Sequence, residues 1–77
     1  MAGSRFAPGT VVRYGDRVSA LFRVESAIPS GDTFRYYGTH VLGGSHSAMD
    51  VIFVTLREAS DDDWKFIHEH QPGWQRP

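Results

Sequence analysis

The chain has 77 residues, 40% of them hydrophobic, and no cysteine; that is one domain's worth of core, with disulfides and thiolate metal sites excluded. Eight Lys and Arg against nine Asp and Glu leave a formal net charge of −1, which argues against high-affinity nucleic-acid binding, where basic side chains neutralise phosphates. No apolar run approaches the roughly 20 residues that span a bilayer, and no basic-then-apolar leader opens the chain, so the expectation is a cytoplasmic protein with no membrane partner.

A domain this short buries only about 60% of the surface its unfolded chain exposes. Five Phe, three Tyr and two Trp supply large buried area per residue in compensation. Self-association is the other route to more burial.

Residues 1–7 read as a flexible start, with Phe6 the first side chain to pack. Pro8-Gly9 is a turn signal, and residues 10–14 have strand composition. Gly15-Asp16 reads as a tight turn. Over residues 18–27, Val18, Ala20, Phe22 and Val24 alternate with Ser19, Arg23 and Glu25, the mark of a half-buried strand, with Leu21 as the exception. Pro29-Ser30-Gly31-Asp32 is a hairpin loop.

The next strand, residues 33–41, sends Phe34, Tyr36, Gly38 and His40 to one face and Arg35, Tyr37, Thr39 and Val41 to the other. Gly38 in mid-strand predicts a bulge or sharp bend. Residues 43–47 read as a loop. Residues 50–56, nearly all apolar through Val51, Ile52, Phe53 and Val54, predict a central strand covered on both faces.

Ser60 is the N-cap of a terminal helix, with Asp61, Asp62 and Asp63 on its positive end and Asp63 closing a capping box. Trp64, Ile67, His68 and Gln71 share a helical face, and Pro72-Gly73 stops the element. Residues 72–77 then form a flexible tail that carries Trp74.

Short strands joined by local hairpins predict a mainly β fold. The expected architecture is a small antiparallel SH3-like barrel, or a bent sheet of 4–5 strands, with a short C-terminal helix and a single domain over residues 1–77. The run from Phe6 through Pro8, Gly9, Thr10, Val11 and Val12 to Arg13 resembles the first strand of SH3-like small barrels, a group that includes Tudor and KOW-type modules. That resemblance implies a fold and no particular activity. Gly15-Asp16-Arg17-Val18 resembles the start of the barrel in plasmid-borne type II dihydrofolate reductases. Their Val-Gln-Ile-Tyr active-site motif has no counterpart in Asp50-Val51-Ile52-Phe53, so the activity does not carry over.

Three constellations bear on function. His40 and His46 flank a Gly-Gly loop that lets both imidazoles converge, and a metal site there needs further ligands such as Asp50 or a helix histidine. His68 and His70 lie about 200° apart on a helix and cannot chelate together. Ser45-His46-Ser47 lacks a base reaching in from another element, and Gly43-Gly44-Ser45 lacks the Lys and helix of a phosphate loop. Asp61-Asp62-Asp63 is accounted for by the helix end.

The aromatic set points to binding. Tyr36 and Tyr37 face opposite ways, so one ring lies near the surface, where Arg35 and Arg23 add stacking and charge-assisted contacts. The expected function is a non-enzymatic binding module for a protein partner or for itself, with no cofactor and no metal. Its expected site residues are Tyr37, Arg35, Arg23, His40 and His46, with Trp74 as an anchor. The alternatives are a metal-dependent or small-molecule-binding enzyme centred on His40 and His46, and single-stranded nucleic-acid binding through the same aromatics.

Overall fold

The computed structural model describes residues 5–15, 20–50 and 56–77. Within them lie β1 (Val11–Tyr14), β2 (Leu21–Ser30), β3 (Thr33–His40), β4 (Ser45–Met49), β5 (Leu56–Glu58) and α1 (Asp61–His70). The strands form one antiparallel sheet in the order β4-β3-β2-β1-β5, open rather than closed on itself. The expected mainly β fold with a short C-terminal helix is the observed one, in its bent-sheet form.

Adjacent residues on the central strands serve two separate cores. Leu21 and Phe22 are both 0% exposed, and period-two geometry sends them to opposite faces. Phe22 joins Phe6, Val12, Val24, Tyr36, Ala48 and Leu56 on the first face. Leu21 joins Val11, Val41, Ala59, Trp64, Ile67 and Trp74 on the second, beneath α1. Leu21, the exception in the alternating run, is therefore the residue that seats the helix. Val18 and Ser19 of that run lie outside the described residues.

Gly38 fits the expectation of a bend. The β2–β3 register slips between Val24 and Ser26, opposite Gly38 and Tyr37. A Cβ on Gly38 would meet the Arg23 carbonyl oxygen at 1.7 Å, so only glycine permits that approach. The hairpin beyond it is tighter than the four-residue loop expected. Ser30 pairs with Thr33, leaving only Gly31-Asp32 to turn, with Gly31 at φ 60°, as two-residue hairpins require.

The fourth strand departs from expectation. Ser45, His46 and Ser47 belong to β4, not to a loop, and the connection is residues 41–44 with Gly43 and Gly44 at positive φ. Of the apolar run expected to form a central strand, residues 51–55 lie outside the described residues. Asp50 precedes it without strand pairing, and Leu56 opens β5, which is an edge.

Both ends of the described chain are tied down. Arg5 donates its backbone N–H to the Tyr36 hydroxyl (3.0 Å) and a guanidinium N–H to the Leu56 carbonyl (2.6 Å), and it pairs with Asp50 at 2.6 Å. Phe6 packs edge-on against Tyr36. The flexible start expected through residue 7 is thus pinned from Arg5 onward.

The α1 N-terminus has the expected capping box, Asp63 N–H to Ser60 Oγ (3.2 Å) and Ser60 N–H to Asp63 Oδ2 (3.0 Å). At its other end the Gln71 side chain donates to the Val41 carbonyl (3.0 Å). No helix among the described residues is long and apolar enough to cross a membrane.

Candidate binding surface

The second face of the sheet is only half covered. Trp64, Ile67 and Trp74 lie over the part built by β1 and the start of β2. Past the bulge the ladder continues without the helix. Ser26 pairs with Tyr37 and Tyr37 with Ser47; Ile28 pairs with Arg35 and Arg35 with Met49. Directly paired residues point to the same side, so these six side chains form two rows on one uncovered patch. Tyr37 is 40% exposed and Ile28 53%. Its partner in sequence, Tyr36, is 0% exposed in the first core, as the alternation predicts. Arg35 stands between Ile28 and Met49 with no carboxylate paired to it among the described residues.

Two expected site residues serve a different purpose. Arg23 lies over the indole of Trp74, its guanidinium carbon 4.8 Å from the ring centroid, and Trp74 is 7% exposed in the second core. Trp74 therefore corrects the expectation of a ligand anchor in a flexible tail: it packs inward. Arg23 covers it and leans toward Glu25 at 3.8 Å, while Thr39 donates to Glu25 at 3.1 Å. These residues mark the border between the covered and open halves.

His40 and His46 do come together, with ring centroids 5.3 Å apart. Phe22 packs on His46 at 4.9 Å. Burial, and then the charge of His40, lower the pKa of His46 from its ordinary value. The His40 Nδ1 accepts the Leu42 backbone N–H at 3.0 Å, which puts the proton of the neutral ring on Nε2.

The further ligands suggested for this pair are engaged elsewhere. Asp50 pairs with Arg5. His68 donates from Nε2 to the Trp74 carbonyl, and His70 donates from Nδ1 to the Phe66 carbonyl, each at 3.1 Å. No group of three or more His, Asp or Glu among the described residues is placed to hold a metal ion. Each residue of the acidic triplet has its own cation: Asp61 has Arg76, Asp62 has Lys65 and Asp63 has Arg13.

A cleft of about 350 Å³ runs along β4, lined by Tyr14, Arg35 and the four consecutive residues His46, Ser47, Ala48 and Met49. Tyr14, 37% exposed on β1, closes its far side. The expected site thus gains Ile28, Met49 and Tyr14. Ile28 was legible only as an apolar residue before Pro29, because its face depends on the bulge. No family model, characterised relative or solved structure matches the chain.

Proposed function

We propose that the chain is a small SH3-like binding module that engages a protein partner through the open half of its second sheet face, centred on Tyr37 and Arg35. The strand order supports the SH3-like reading: a β2-β3-β4 meander, with β5 returning beside β1. The observation that carries the function is the patch itself. An exposed tyrosine and isoleucine flank an arginine that has no carboxylate paired with it among the described residues. Tyr and Arg are the residue types that concentrate binding energy at protein interfaces. A flat ring with few rotors loses little entropy on contact, and a guanidinium gives directed, charge-assisted bonds.

His46 serves this reading from the opposite face, as part of the wall of the cleft along β4, and His40 packs against it. Arg23 and Trp74 serve it from the same face, as the border of the open half. The test is affinity capture with the wild-type chain and with the Tyr37→Ala, Arg35→Ala double variant, beside sedimentation of each at several concentrations. A partner held by the wild type and lost by the folded double variant supports the reading. Equal retention by both contradicts it.

A further inference from the structure

We propose that the outer edge of β4 accepts an extended segment of a protein partner as an added antiparallel strand, with an acidic residue two positions before a large apolar one. This rests on the reading of the open half-sheet as a binding surface and names how the partner is held there.

Backbone geometry comes first. His40 N–H donates to the Gly44 carbonyl at 2.9 Å, and Asp50 N–H donates to the Phe34 carbonyl at 3.3 Å. Between them Gly38 faces His46 and Tyr36 faces Ala48. Hydrogen-bonded pairs alternate in an antiparallel ladder, so residues 44, 46, 48 and 50 bond inward to β3. The N–H and C=O groups of Ser45, Ser47 and Met49 consequently point outward, and no strand among the described residues lies on that side.

Among the described residues the other edges carry protection against pairing and this one does not. The edge strand β5 exposes Arg57 and Glu58. Where β2 runs past β1 it carries the bulge and Pro29. Charges, bulges and proline are the devices that keep sheet edges from adding strands. In β4, Ser-His-Ser-Ala-Met, there is no lysine, carboxylate or proline. The cleft lined by Tyr14 and Arg35 follows this same edge.

Side chains then select the occupant. On the Tyr37 face an added strand meets Ser47 and Met49. Strands lie about 4.8 Å apart, so a large side chain opposite Ser47 leans across the small serine onto the Tyr37 ring. Two residues earlier in the added strand, opposite Met49, an Asp or Glu reaches Arg35 and supplies a carboxylate. β4 itself carries no carboxylate, so a second copy paired along this edge would leave Arg35 without an acid. Charge and shape therefore favour a partner segment of the pattern acidic-x-aromatic.

The test is selection of a phage-displayed random decapeptide library on the wild-type chain, on Ser47→Pro, on Tyr37→Ala and on Arg35→Glu. The Ser47 N–H points outward, so proline there removes no internal bond and suits an edge strand; circular dichroism checks its fold. Arg35→Glu serves as the second arm if Ser47→Pro does not fold. The expected result is enrichment of Asp or Glu two residues before Tyr, Phe, Trp or Leu. Those peptides should bind Ser47→Pro at least tenfold more weakly, and selection on Arg35→Glu should place Lys or Arg at the acidic position.

Peptides that bind Ser47→Pro normally yet lose Tyr37→Ala overturn strand addition and leave the surface reading intact. Indifference to both variants overturns both readings. Failure to enrich any peptide overturns strand addition, as does a wild-type dimer abolished by Ser47→Pro, which would make the occupant a second copy.

Discussion

The guanidinium of Arg23 lies over the ring of Trp74 at 4.8 Å, joining β2 to the last segment of the chain. Trp74 follows a Pro-Gly stop and sits among polar residues, yet it closes the second core between Val11, Leu21 and Ile67. Trp74→Ala should destabilise the protein by about 3 kcal/mol, the cost of emptying a buried aromatic site. Arg23→Ala should cost about 0.5–1 kcal/mol, as expected of a partly exposed cation–π contact. Urea denaturation of both variants checks the ranking. Equal, small losses would mean that the tail does not belong to the core.

The Arg23 carbonyl leaves no room for a side chain at position 38. With a Cβ placed 1.7 Å from the Arg23 carbonyl oxygen, Gly38→Ala must push β2 and β3 apart at the bulge. The expected loss is about 3 kcal/mol or more, the upper range for overpacking a site that cannot relax. A denaturation midpoint close to wild type would contradict the register described for these strands.

The acidic triplet divides sharply by context. Asp63 is buried, caps α1 through Ser60, and meets Arg13 at 3.1 Å. Asp63→Ala removes the reciprocal half of the capping box and the buried ion pair with Arg13, and should cost about 3 kcal/mol. Asp62 pairs with exposed Lys65 at 3.6 Å, and Asp62→Ala should change stability by less than about 0.5 kcal/mol. Thermal unfolding of the two variants side by side reads the difference.

Stability should also carry the mark of His46. Its folded pKa is lowered by burial and by His40, whereas an unfolded histidine titrates near about 6.5. Above that value both states are neutral and the residue contributes no pH dependence. As pH falls below it, the unfolded chain takes up the proton first, so the folded state loses stability down through the lowered pKa. Urea midpoints at pH 7.5 and pH 5.5 should therefore differ, and His46→Gln should reduce that difference. An unchanged slope would mean that His46 is not desolvated against Phe22.

Much of this structure is legible residue by residue, and the exceptions have physical causes. The Ser60–Asp63 cap is a local pattern, and so is the split between Tyr36 and Tyr37, because period-two alternation needs no tertiary information. β4 escaped because Ser, His and Ala have weak strand preference; its signal is only His46 and Ala48 alternating with exposed serines. Leu21 looked anomalous because a sheet with one core was expected, and α1 creates a second. The site inherits the same division. Tyr37 with Arg35 follows from alternation, whereas Ile28 reaches their face only through the bulge, and Arg23 and Trp74 find each other across 51 positions of sequence, as residue numbers 23 and 74 show.

The open half-sheet is the central claim, and the Tyr37→Ala, Arg35→Ala double variant addresses it most directly. Neither side chain belongs to either core, so its unfolding midpoint should stay near that of the wild type. Titrated against a partner recovered by the wild-type chain, the folded double variant should bind at least tenfold more weakly. Wild-type affinity in that titration would contradict the assignment and move the binding surface elsewhere on the molecule.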